Sequence, residues 1–164
     1  MMTHTVEKVV DVAVPVHIAY NQWTQFEEFP CFMKGVLEVR QLDERRLRWR
    51  AAIFGRPVEW TAEITQQVPD RRIAWRSLFG ARNSGMVSFR SLTRTCTRVT
   101  LRMTVQPRKG VESAATALGL VAARVGRDLE RFRIFIEARG GETGRWRGEI
   151  QGLVVIPATH ARRG

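Results

Sequence analysis

Cysteine, histidine and tyrosine are scarce in this sequence of 164 residues, which contains two, three and one of them respectively. Cys31 and Cys96 lie far apart and neither belongs to a CxxC pair, so nothing supports a zinc site or a disulfide framework. His4, His17 and His160 fall in separate parts of the chain and form no metal-binding motif. No glycine-rich phosphate-binding pattern is present either. We therefore predict no metal and no cofactor.

Long apolar stretches are also absent from the sequence. There is no run of about 18 apolar residues, as a membrane-spanning helix would need, and no apolar run follows a basic start at the N-terminus. These absences predict a cytoplasmic protein that is neither exported nor membrane-spanning. A chain of this length can bury roughly 70% of the surface that its unfolded form exposes, so we expect a single domain with a real core.

Charge is abundant but one-sided. The net charge is +11, and the basic excess lies entirely after residue 70. Such a surface would attract the phosphates of anionic membranes or nucleic acid, although an arginine bias of this kind also arises from GC-rich coding without any selected partner. Nucleic acid is the less favoured partner, because aromatic residues do not alternate with the outward-facing Arg90, Arg98 and Arg102 as single-strand binding would require. Peripheral contact with an anionic membrane stays open.

The first part of the chain predicts one strand followed by two short helices. Residues 6–14 are rich in β-branched side chains, which favours a strand. Pro15 then suits the first turn of a helix over residues 16–25, where apolar residues recur at three- and four-residue spacing. A second helical turn, residues 27–33, is interrupted by Pro30.

From residue 36 to residue 106 the apolar period becomes two, which is typical of strands. Turn signals recur at residues 43–44, 55–57, 69–70, 83–85 and 93–94, and connections this short predict an antiparallel meander. Along the strands one face is apolar and the other is strongly charged. Trp49, Trp60 and Trp75 fall on the apolar face.

A long amphipathic helix is predicted over residues 113–138, followed by a looser segment. At about 1.5 Å per residue the helix would be near 38 Å long, enough to cross a small sheet. Its apolar stripe includes Val121, Val125 and Phe132, whereas Arg124, Arg127 and Asp128 are assigned to positions off the stripe. We assign residues 1–141 to one domain and residues 142–164 to a flexible tail. The apolar residues 153–156 within the tail could add an edge strand, dock on a partner or lack structure.

Five segments of the chain carry a family resemblance. They are AVPVHIAYNQWTQFEEFPCFMKGVLEVRQLD, LRWRA, EWTAEITQQVPDRRIAWRS, VTLRMTV and GRDLERFRIFIEARG. They closely resemble the START-like (SRPBCC) superfamily, and within it the bacterial group described as polyketide cyclase/dehydrase or coenzyme Q-binding START-domain proteins. The resemblance covers about residues 6–149. It implies an α+β helix-grip fold, in which a curved seven-stranded antiparallel sheet wraps around a long C-terminal helix, with two short helices after the first strand and an apolar pocket under the long helix.

The first functional hypothesis is binding of a small hydrophobic molecule, such as a lipid, a quinone or a polyketide-like aromatic, between the sheet and the C-terminal helix. Large apolar side chains on inward positions are typical of such pockets, although they could equally fill the core. The predicted ligand-binding residues are Trp23, Trp49, Trp60, Trp75, Phe89, Met103, Val121, Val125 and Phe132.

Two alternatives remain. The resemblance also implies an enzyme of the polyketide cyclase/dehydratase type, which would need a polar group within hydrogen-bonding reach of the substrate. Inward positions are nearly all apolar, and Tyr20 with Ser77 is the one weak catalytic pair that the sequence offers. Whether the protein is an enzyme therefore stays open. The other alternative is an interaction with an anionic membrane surface or nucleic acid through the basic second half.

Overall fold

The computed structural model of the chain describes residues 4–53, 55–105 and 114–157. The strands are β1 (His4–Val12), β2 (Val36–Gln41), β3 (Arg46–Ile53), β4 (Arg56–Val68), β5 (Arg72–Gly80), β6 (Asn83–Thr93), β7 (Cys96–Val105), β8 (Glu149–Gln151) and β9 (Val154–Ile156). The α-helices are α1 (Val16–Trp23) and α2 (Ala114–Arg139), and a 3₁₀ helix covers Phe26–Cys31. None of the described helices has an apolar stretch long enough to cross a membrane.

Seven strands form one continuous sheet in the order β1-β7-β6-β5-β4-β3-β2. Every neighbouring pair is antiparallel. The long helix α2 packs against β1, α1 packs against β6 and β7, and the 3₁₀ helix packs against β2. The predicted α+β helix-grip fold is therefore confirmed, including its two short helices between the first two strands.

The buried face of α2 forms the centre of the core. Leu129, Phe132 and Ile136 recur at three- and four-residue spacing and are almost fully buried. Burying a side chain of this size contributes about 1.5–3 kcal/mol. The helix ends where Gly140 takes a positive φ of 74° and its N–H bonds to the Ile136 carbonyl at 3.0 Å. Such an ending favours glycine, because this conformation is costly for residues with a Cβ.

The local structure differs from the prediction in several places, and β1 covers His4–Val12 instead of residues 6–14. The helix α1 ends two residues early, at Trp23, where the Thr24 hydroxyl donates to the Asn21 carbonyl at 2.6 Å. The next helix is of the 3₁₀ type, because Pro30 lies inside it and lacks the N–H that an α-helical turn would use. Residues 83–85, predicted as a turn, are instead the start of β6.

The sheet carries two further short strands that the seven-stranded prediction did not include. At the end of β4, past the last residue paired with β3, Gln66 and Gln67 pair with β8, and β9 pairs with β8 on its other side. Ile150 of β8 is fully buried. Of the three alternatives for residues 153–156, the structure shows the strand, which covers Val154–Ile156.

The segment before this hairpin makes polar contacts with α1 and with the turn between β4 and β5. The buried Gln22 amide donates to Thr143 Oγ1 at 3.0 Å and accepts from the Thr143 N–H at 2.9 Å. Arg147 makes paired hydrogen bonds of 2.8 and 2.9 Å with the Asp70 carboxylate. Residues 142–157, predicted as part of a flexible tail, thus contact the main fold, while the division of the chain at residue 141 stays a prediction.

Candidate functional site

A cavity of about 280 Å³ lies between α2 and the concave face of the sheet. Its walls come from β3, β4, β5, β6 and β7, from the first half of α2, and from α1 and the residues around the 3₁₀ helix. Most of the lining side chains are apolar or aromatic. Such a space suits an apolar molecule, because transfer of apolar surface from water is favourable.

Tryptophan rings form much of the cavity wall. Trp49 and Trp60 are directly opposite each other on β3 and β4, and their rings stack with 5.5 Å between centroids and 9° between planes. Trp75 faces Gly85 across β5 and β6, where a Cβ on residue 85 would collide with its ring. Its indole N–H donates to Asn83 Oδ1 at 3.1 Å, which fixes the ring orientation.

The inner end of the cavity is closed by an aromatic cluster around Trp23. Phe29 and Phe132 lie 5.2 and 5.5 Å from Trp23 between ring centroids, both in edge-to-face arrangements. Pairs of this kind add about 0.5–1.5 kcal/mol each beyond their area burial. Trp23 and Phe29 therefore line the cavity as members of a packed aromatic cluster.

Most of the predicted ligand-binding residues line this cavity. They are Trp23, Trp49, Trp60, Trp75, Met103, Val121 and Val125. Phe89 and Phe132 do not line it; both are buried and pack against Trp23, with centroids 6.4 and 5.5 Å away. Periodicity correctly predicted that Phe89 and Phe132 face inward. They do not reach the cavity because α1 packs over this part of the core. Contact of the seven lining residues with a ligand stays a prediction.

The two weak catalytic candidates lie outside the cavity lining. Tyr20 is fully buried, and burial raises the pKa of its hydroxyl to about 12. The Arg147 guanidinium lies 5.5 Å from the centre of the Tyr20 ring, and neither residue lines the cavity. Ser77 Oγ accepts a hydrogen bond from the Asn83 N–H at 3.1 Å, so this hydroxyl supports the start of β6.

Charged residues that the sequence analysis placed off the apolar stripe also line the cavity. They are Arg124, Arg127 and Asp128, all on α2. Burial raises the pKa of Asp128, and Arg124, the Lys34 backbone N–H and Arg131 oppose that rise. Helical spacing could have identified two of them, because Arg124 and Asp128 lie three and seven residues after Val121 and share its face.

The outer face of the sheet gives little support to an anion-binding patch. Arg98 makes two hydrogen bonds to the Asp11 carboxylate, at 2.8 and 3.1 Å. Arg102 stands directly across from Glu7 on β1. Neighbouring carboxylates therefore offset two of the three arginines considered for this role. Within the described parts of the chain, no group of three or more side chains is arranged to hold a metal ion.

Comparisons with known proteins agree with this geometry. Residues 12–133 match the family model described as polyketide cyclase/dehydrase and lipid transport. The chain is 46% identical over 146 residues to an uncharacterized 17.2 kDa protein in the melC2-rnhH intergenic region of Streptomyces lincolnensis. The aligned residues cover 88% of this chain and 97% of that protein.

Two solved structures have the same fold. A START superfamily protein from Mycobacterium smegmatis is 19% identical, with a TM-score of 0.68 covering 83% of this chain and 96% of that one. The ZhuI aromatase/cyclase from Streptomyces sp. R1128 is 18% identical, with a TM-score of 0.67 covering 84% of this chain and 93% of that one. At these identities the likeness concerns the fold alone.

Proposed function

The chain belongs to the family of polyketide cyclase/dehydrase and lipid transport proteins, and we propose that it binds one small hydrophobic molecule in the cavity beneath α2. The observation that carries this proposal is the cavity of about 280 Å³ itself, which remains open although four tryptophans line it. Side chains that merely filled a core would pack to a density without voids of this size.

The shape of the wall favours a flat ring system over a long acyl chain. Trp49 and Trp60 both line the cavity with their rings stacked on each other, and aromatic ligands gain from offset stacking or edge-to-face contact with the ring surface that remains uncovered. The volume is close to the lower end of the roughly 300–1,000 Å³ of ligand pockets. Among the classes considered, a quinone or a polyketide-like aromatic of two fused rings therefore fits better than an extended lipid.

The proposal can be tested with methyl 2-naphthoate, a neutral two-ring probe, in isothermal titration calorimetry. We expect saturable binding of one molecule per chain with a negative heat-capacity change, the robust sign of apolar burial. Val121→Trp places a large ring at the cavity wall and should abolish binding. Val9→Trp makes the same substitution on exposed β1, outside the cavity, and should leave binding intact. No binding by the unmodified protein, or equal effects of the two substitutions, would contradict the proposal.

A second candidate function is catalysis of the cyclase/dehydratase type, and Asp128 favours it. Asp128 is one of the residues that line this largely apolar cavity, and the burial that raises its pKa favours the proton-carrying form required of a general acid. A synthetic poly-β-keto thioester can serve as the substrate, with a ring product that has lost one water detected by mass spectrometry. Asp128→Asn should abolish turnover while methyl 2-naphthoate still binds; turnover that persists in the variant would exclude Asp128 from this role.

A further inference from the structure

We propose that the ligand of this cavity carries an acidic oxygen, as a carboxylate or an ionised enol or phenol, and that Arg124 binds it. This inference rests on the proposed function, because it names a polar group on the molecule that occupies the same cavity. It concerns a residue that the apolar pattern of the sequence did not indicate.

The position of Arg124 on α2 is the first observation. Val121, Arg124 and Val125 occupy one face of the helix, and all three line the cavity. Arg124 is partly buried. An arginine placed in this way presents a charged end within a largely apolar wall, where hydrogen bonds to an anion are stronger than in water.

Gly35 provides the space that the guanidinium occupies. This residue precedes β2 and also lines the cavity. A Cβ on residue 35 would overlap Arg124 Nη1 and would approach the Ala52 carbonyl oxygen to 3.3 Å. The guanidinium thus lies against bare backbone between α2 and the sheet, and the absence of a side chain at Gly35 permits its position there.

The charge balance around Arg124 is the third observation. Two of the arginines further along α2 have carboxylate partners: Arg131 bonds to Asp128, and Arg133 bonds to Glu130 and Glu137. Among the residues that the structure describes, no carboxylate lies within ion-pair distance of Arg124.

Asp128 does not reverse this balance. Its carboxylate is near Arg124, Arg127 and Arg131 together, so the local charge is positive when the acid is ionised and more positive when it is protonated. A cationic ligand would be repelled at this end of the cavity. A planar anionic group would complement the guanidinium, whose fork of N–H donors matches the geometry of a carboxylate.

The test compares two probes that differ in one group: 2-naphthoate, which is ionised near neutral pH, and its neutral methyl ester. Both dissociation constants are measured by calorimetry at low salt. With the unmodified protein we expect 2-naphthoate to bind about tenfold or more tightly than the ester, as a hydrogen bond to a charged group would give. Added salt should reduce this preference.

Three variants locate the preference. Arg124→Met keeps an unbranched, apolar stem and removes the charge, so 2-naphthoate should bind no better than the ester. Gly35→Ala should reduce the preference in the same direction, because the new methyl group displaces the guanidinium. Gly35 does not have a positive φ, and the Ala52 carbonyl has to move by only a few tenths of an ångström to accept the methyl group. Arg90→Met removes an equal charge from the exposed outer face of β6 and should leave both affinities unchanged.

The outcomes separate this inference from the proposed function. If neither probe binds the unmodified protein, the proposed function itself fails. If both bind with equal affinity, or if Arg124→Met and Gly35→Ala both retain the preference, the cavity binds ligands but the assignment to Arg124 is overturned. Loss of the preference in Arg127→Met with its retention in Arg124→Met would likewise overturn the assignment. If Arg124→Met proves unstable, Gly35→Ala alone decides.

Discussion

Substitution of Ile150 by alanine tests whether residues 149–156 stabilise the main fold. The Ile150 side chain is 0% exposed and belongs to the same core as Phe26 and Trp23. Replacing a buried isoleucine by alanine removes its transfer free energy and leaves a cavity, at a typical cost of 2–5 kcal/mol, or about 3 kcal/mol for a site near a sheet edge that can partly collapse. We therefore expect Ile150→Ala to lower the free energy of unfolding by about 2–4 kcal/mol.

The assay is equilibrium unfolding in urea, followed by tryptophan fluorescence, with the free energy extrapolated to water. Leu153→Ala is the matched control, because Leu153 belongs to the same hairpin but is 82% exposed. Its effect should stay within about 0.5 kcal/mol. If Ile150→Ala also changes the free energy by less than about 0.5 kcal/mol, the hairpin does not contribute to the stability of the fold and the argument from its burial is refuted.

Two further predictions concern buried ionisable groups. Tyr20 is the one tyrosine of the chain, so an ultraviolet pH titration of the folded protein should give a phenol pKa of about 12 instead of 10.0. Because the unfolded state loses this proton first, the free energy of unfolding should fall as the pH rises between these two values. A titration midpoint near 10 would contradict the burial of Tyr20. Asp128→Asn should raise the free energy of unfolding near neutral pH, because burial raises the pKa of Asp128 above 3.8 and so penalises its charged form in the folded state. This gain, measured by urea unfolding, should disappear below pH 3.8, where the acid is protonated in both states; a gain that is independent of pH would exclude desolvation as its cause.

The elements could be predicted from the sequence because their patterns are long. Alternation along β3, β4 and β7 and the helical period of α2 each extend over many residues, so a single ambiguous position does not change the result. The predicted helix over residues 113–138 differs from α2, Ala114–Arg139, by one residue at each end. The order of the strands could not be derived from periodicity, and the pocket under the long helix was implied by the family resemblance alone.

The residues that line the cavity were less predictable than the strands and helices. The helices cover one part of the concave face of the sheet and leave another part open, and periodicity does not distinguish the two parts. Parity places Trp49 and Phe89 on the same face of the sheet, yet α1 lies over Phe89 and leaves Trp49 at the open cavity. Which part of a concave face is filled depends on how closely a helix approaches it, and this depends on contacts distant in sequence. Gly85 is an example of such a distant contact. It leaves space for the Trp75 ring, and the pairing of these two residues follows from the register between β5 and β6.

The charged residues of the cavity show why helix side chains cannot all be divided into a buried class and a solvent-facing class where a helix covers a cavity. On a helix whose apolar stripe packs directly against a sheet, arginines beside the stripe are expected to face solvent. A helix that covers a cavity has a third kind of position, at the margin of the stripe, where a long side chain can keep its methylene groups beside apolar neighbours while its charged end reaches the ligand space. Arg124 lines the cavity from α2, and the missing side chain at Gly35, far away in sequence, leaves space for its guanidinium. The glycine and the arginine therefore act as one feature, and substitution at either should change the preference for an anionic ligand in the same direction.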